Sequence, residues 1–94
     1  MIVREGDALR LEGPVNLETV GSLLGEARRL MAPEVDVIDI GGVTDADSSL
    51  IALLLDLARA ARAAGRSLAV VRPTAGLASL ARLYGVDALL FPES

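Results

Sequence analysis

The sequence predicts a single α/β domain spanning residues 1–94, a four-stranded mixed β-sheet packed with three main helices. Three observations carry that expectation. Short segments of strand period alternate with longer segments of helical period along the chain. An apolar run, Val35 to Ile40, is followed by a long apolar helix and then by a second short apolar run, Ser67 to Val71, which is the pattern of a β-α-β unit. Finally, 52% of the residues are hydrophobic but only one Tyr and one Phe occur, so the core must be built from Leu, Val, Ile and Ala.

Ile2–Glu5 and Ala8–Glu12 form two strands joined by Gly6-Asp7, a pair suited to a tight hairpin turn. Leu9 and Leu11 alternate with Ala8, Arg10 and Glu12, so the second strand has one wet face, and Gly13-Pro14 is expected to end it. Asn16 is the expected N-cap of a helix from Leu17 to about Met31, with Val20, Leu23, Leu24, Ala27 and Leu30 inside. Glu18, Ser22, Glu26 and Arg29 should face water. The third strand, 35–40, stops at Gly41-Gly42, and a short acidic loop leads to a helix running from Ser48 to about Ala64, closed by Gly65. After the fourth strand, Thr74 caps a last helix reaching Tyr84, with Leu77, Leu80, Ala81 and Tyr84 inward. The apolar tail Val86–Phe91 docks on the core, and Pro92-Glu93-Ser94 frays. The chain has no repeat, linker or low-complexity segment.

Several functions are disfavoured by missing residue types. With no His, Cys or Lys, the usual general base, thiol nucleophile, Schiff-base amine and phosphate-loop lysine are absent, and no catalytic residue, cofactor or metal is expected. A formal net charge of −4 argues against nucleic acid and anionic membranes as partners. The first residues carry acids where a signal peptide needs an apolar core. Leu50–Leu55 is far shorter than the roughly 20 residues a membrane span requires. A cytoplasmic domain without direct membrane insertion is the expectation.

The function is expected to lie around Asp47-Ser48-Ser49. Asp47 or Ser48 at a helix start satisfies a free N–H group, and a phosphate on Ser48 or Ser49 would meet the positive end of the helix dipole while crowding Asp45 and Asp47. At about 100° per residue, Leu50, Leu53, Leu54, Leu57, Ala61 and Ala64 cluster toward the sheet. The opposite side holds Ser48, Ala52, Leu55, Arg59 and Ala63, flanked by Ile51 and Arg62. Charge would be expected where Ala52 and Leu55 stand, so this strip is a candidate docking surface. The expected partner-binding residues are Ser48, Ser49, Ile51, Ala52, Leu55 and Arg59.

The order of elements, with Val37-Ile38-Asp39-Ile40-Gly41-Gly42-Val43, then Asp47-Ser48-Ser49, then Leu53-Leu54-Leu55, resembles the STAS domain. Ile51–Ala58 and Leu80–Val86 are most similar to its MlaB-type branch. That resemblance implies a non-enzymatic subunit, peripheral to an inner-membrane complex, that binds an MlaF-like ATPase subunit of an ABC transporter moving phospholipid and maintaining outer-membrane asymmetry. The other branch, the anti-sigma factor antagonists, is implied by the Asp-Ser-Ser segment and by Gly85-Val86-Asp87. It would make the partner a serine-kinase anti-sigma factor that phosphorylates Ser48 or Ser49. In the transporter reading the start of the last helix also belongs to the contact. The chain carries Leu50 where that segment of the antagonists has glycine.

Overall fold

The computed structural model describes residues 1–91, so the expectation for Pro92-Glu93-Ser94 lies outside the described residues. Its elements are β1 (Ile2–Glu5), β2 (Ala8–Val15), α1 (Val20–Leu30), β3 (Val37–Ala46), α2 (Ser48–Ala63), β4 (Ala69–Val71), α3 (Ala75–Leu83) and a short α4 (Asp87–Leu90). The four strands lie in the order β1-β2-β3-β4, with β1 antiparallel to β2 and the remaining pairs parallel. The predicted α/β class, mixed sheet and three main helices are all present.

Burial follows the strand period. Leu9 and Leu11 are fully buried while Ala8, Arg10 and Glu12 are not, so the helices cover one face of the sheet. The opposite face presents Val3, Arg10, Asp39 and Val71, which are cross-strand neighbours in one row. Among the described residues the core is aliphatic apart from Phe91 and contains no buried polar or charged residue.

Two strands run past the glycines that were expected to end them. β2 continues through Gly13-Pro14 to Val15, with register shifts on either side of Glu12–Gly13 and Gly13 at φ +84° absorbing the irregularity. The β1 ladder reaches Leu11 and the Glu12 backbone still exchanges hydrogen bonds with Met1, so Pro14 lies beyond them on this edge and forfeits no ladder bond to β1. β3 likewise runs through Gly41-Gly42 to Ala46. Gly42 pairs with Glu12, and a Cβ there would stand 3.1 Å from the Leu11 carbonyl oxygen. These glycines allow close approach inside a strand; they do not terminate it.

Other boundaries move for local reasons. α1 starts at Val20, because Asn16 Oδ1 accepts from the N–H groups of Glu18 and Thr19 and holds residues 17–19 in a turn instead. Glu26 was expected in water, yet its Oε1 accepts from the Ile2 N–H at 3.2 Å and pins the edge strand to α1. Tyr84 was expected inside and is 53% exposed. α3 ends at Leu83, the chain reverses at Gly85 (φ +72°), and Leu90 and Phe91 fill the core.

The largest revision concerns α2. Its buried residues are Leu50, Ile51, Leu53, Leu54, Leu57 and Ala58, while Ala64 is exposed. Ile51 and Ala58 are seven residues apart and so lie within roughly 20° of each other around the axis. α1 packs on one flank of α2, where Arg28 grips Asp56, and α3 and α4 pack against the helix as well. The buried arc is therefore wider than the stripe facing the sheet. Ile51 is 3% exposed and belongs to the core. Ile51→Ala should then cost about 2–5 kcal/mol in urea unfolding, the range for truncating a buried aliphatic side chain. A loss within about 0.5 kcal/mol, normal for a surface position, would return Ile51 to the outer strip.

Candidate functional site

The site is a corner where β2, the turn before α1, and the β3–α2 junction meet. Asp47 leaves β3 in an extended conformation, and its Oδ1 accepts from the Ser49 N–H at 2.8 Å, capping α2. Its Oδ2 accepts from the Leu17 N–H at 3.2 Å. One carboxylate thus fixes the helix start and the neighbouring turn together. These bonds, first that from the Ser49 N–H, then that from the Ser49 hydroxyl, hold the Asp47 carboxyl below the ordinary carboxylate range.

The two serines differ. Ser49 is half-buried and its hydroxyl is spent on Asp47. Ser48 is exposed, and among the described residues its hydroxyl makes no hydrogen bond. Leu50, which replaces the glycine of the antagonist segment, is 2% exposed and points into the core, so it does not obstruct Ser48. Further along α2, Ala52 and Arg59 are exposed, whereas Leu55 is half-buried and packs against the core. Of the expected contact residues, the structure leaves Ser48, Ala52 and Arg59 outward, Ser49 and Leu55 at the margin, and Ile51 inside.

Leu17 was assigned to α1 by its position after Asn16. It stands instead in the turn, 79% exposed, with its N–H on Asp47. The signal that could have found it is Asn16 followed by Thr19, whose Oγ1 accepts from the Asn16 N–H and donates to the Pro14 carbonyl, a local turn that competes with the helix. On the other side of the corner a crevice of about 150 Å³ is lined by Thr44, Asp45, Ala46 and Leu50 together with Thr74 and Leu77 of α3. Thr74 Oγ1 accepts from the Leu77 N–H and caps α3. The start of α3 therefore flanks the start of α2.

Beneath the corner a second carboxylate supports β3. Asp39 accepts two bonds from Arg72, at 2.8 and 2.7 Å, and a third from the Gly41 N–H at 2.9 Å. The Arg72 hydrogen bond is the main reason its carboxyl lies below the ordinary range, opposed by partial burial. Arg72 itself sits at φ 59°, an uncommon conformation for a residue with a side chain, and its guanidinium lies where a Gly41 Cβ would stand. Among the described residues no group of three or more His, Cys, Asp or Glu is placed to hold a metal, and no helix is long and apolar enough to cross a membrane.

With this geometry in view, comparisons with known proteins are informative. The family model described as Mlab, STAS domain, matches residues 2–91. A search of curated proteins returns no match. Among solved structures, the anti-sigma factor antagonist SpoIIAA in its unphosphorylated form superposes with a TM-score of 0.66 at 16% identity, covering 88% of this chain and 81% of that one. A structure titled as the crystal structure analysis of Mglu superposes with a TM-score of 0.59 at 22% identity, covering 80% of this chain and 20% of that one. At these identities the two structures establish the fold alone.

Two outcomes follow from the carboxylates. Gly41→Ala should evict the Arg72 guanidinium, so the Gly41→Ala/Arg72→Ala double variant should lower the urea midpoint no more than the larger single effect. Additive losses would mean that Gly41 acts independently of Arg72. The second concerns pH. Asp39 and Asp47 have folded values below the unfolded value of about 3.9, so near that pH the unfolded chain binds more protons. Their contribution is present above about pH 4 and is lost as pH falls through the depressed folded values. The advantage of the native protein over Asp39→Asn should accordingly shrink on acidification from pH 6 to pH 3, measured by urea midpoints.

Proposed function

We propose, from the premise that the chain belongs to the STAS family, that it is a non-enzymatic accessory subunit of a phospholipid-transporting ABC complex maintaining outer-membrane lipid asymmetry. It binds and supports the ATPase subunit through the start of α2, is cytoplasmic, and reaches the inner-membrane complex only through that partner. STAS domains are in general binding and regulatory modules, and the ATP chemistry belongs wholly to the ATPase. The observation that carries this reading is Ser48: an exposed hydroxyl with no hydrogen-bond partner among the described residues, set on a rigid helix start within a chain matched almost end to end by the MlaB-type model. Ala52 allows close approach, Leu17 offers an apolar anchor, and Arg59 supplies charge farther along.

A second reading is favoured by the same serine. In an anti-sigma factor antagonist, a partner kinase would phosphorylate Ser48, the hydroxyl left accessible, in preference to Ser49, whose hydroxyl is engaged by Asp47. The phosphate would add up to about two negative charges beside Asp45 and Asp47 and prevent docking without unfolding the domain.

Affinity capture on the native chain from its own cells separates the two. Recovery of an ABC ATPase supports the transporter reading, and recovery of a small histidine-kinase-like protein with chain about 80 Da heavier supports the switch. In either case Ala52→Glu should abolish capture while leaving the melting temperature nearly unchanged. Undiminished capture by Ala52→Glu would remove α2 from the interface.

A further inference from the structure

At the far end of α2 lies a second surface that the Ser48 corner does not use. Arg62 follows Ser48 by fourteen residues, which places it about 21 Å away along the helix. Here a groove of about 500 Å³ runs between the C-terminal half of α2 and α4, lined by Ala58, Arg62, Leu68, Gly85, Ala88 and Leu89. Its floor is aliphatic and its helical walls carry alanine, which lets a further helix approach closely. Leu83 and Tyr84, which precede the lining residue Gly85 in the chain, are 78% and 53% exposed.

Among the described residues, the charged side chains that line the groove are both arginines. Arg66 also lines it, but its terminal nitrogens donate to the carbonyls of Ala32 and Val35 at 3.2 and 3.1 Å. The Arg62 guanidinium has no ion-pair or hydrogen-bond partner among the described residues. Among the described residues no acid lines the groove; Asp87, next to the lining residue Ala88, is half-buried at the start of α4. The asymmetry extends to the whole helical layer. α1, α2, α3 and α4 carry Arg28, Arg29, Arg59, Arg62 and Arg82 against Glu26, Asp56 and Asp87, a net +2 within a chain of net charge −4.

We infer that this groove is a second docking site, which takes an acidic amphipathic helix of a partner protein. Apolar side chains of that helix lie on Ala58, Leu68 and Leu89, and its carboxylates meet Arg62. An apolar stripe laid in an apolar groove supplies affinity, and the cationic rim selects acidic flanks and orients them. The site is independent of Ser48 and of either reading of that corner.

The test is a titration of the isotopically labelled full chain with a synthetic Leu/Glu amphipathic peptide, followed by amide chemical shifts. Saturable shifts are expected at Ala58, Arg62, Leu68 and Leu89. A Leu/Arg peptide of the same pattern should give none, and Ser48→Glu should leave the binding unchanged. Arg62→Glu should weaken it at least about tenfold, with an unaltered melting temperature because Arg62 is exposed. Ala88→Glu, on the α4 wall, should do the same. Four results would each overturn the inference: no saturable shift, equal binding of the Leu/Arg peptide, shifts centred on Ser48, or occupation of the groove by dodecanoate while the peptide stays free.

Discussion

The β3–α2 junction depends on a single carboxylate. Asp47 closes the first turn of α2 through Ser49 and holds the turn before α1 through Leu17. Without those two bonds the helix would begin with orphan N–H groups, and Leu17 would no longer be set beside Ser48. The neighbouring strands give the junction a firm base. β3 is paired with β2 as far as Ala46, and the Asp47 N–H continues toward the Val15 carbonyl. A rigid corner of this kind holds Ser48 in a fixed position, since the side chains that position it are already engaged within the domain.

The fold was largely legible in the sequence because its elements follow simple periods. Leu9 and Leu11 alternate with polar residues, Val35–Ile40 reads as a central strand, and Thr74 and Gly65 mark helix ends by local chemistry. The misreadings arise where tertiary neighbours decide. Gly41 and Gly42 look like a stop, yet one leaves room for the Arg72 guanidinium and the other for the β2 backbone. Neither neighbour is adjacent in sequence. Ile51 falls on a flank of the α2 helical wheel, and only the placement of the other helices shows that this flank is covered. Tyr84 looks like core by helical period, but the chain turns at Gly85 and supplies Leu90 and Phe91 in its place.

The site was legible in outline. Asp47-Ser48-Ser49 identified the corner, but one sequence could not rank the serines, because the distinction rests on where the Asp47 carboxylate is directed. Leu17 was hidden by a turn that imitates a helix start. The charge pattern needed the fold for the same reason. The arginines look scattered along the chain, whereas the helices gather more of them than acids into one layer, and the strands and loops carry the acidic excess. An acidic protein thereby carries an excess of arginine in its helical layer, which its net charge does not reveal.

The central claim is that a partner protein binds the domain at the Ser48 corner and leaves the open face of the sheet free. Amide hydrogen exchange of the chain, alone and with its captured partner, tests this most directly. The account predicts new protection centred on Leu17 and Ser48–Ala52, with exchange at Val3, Arg10 and Val71 unchanged. Protection confined to those sheet residues, with the start of α2 exchanging as before, would contradict it.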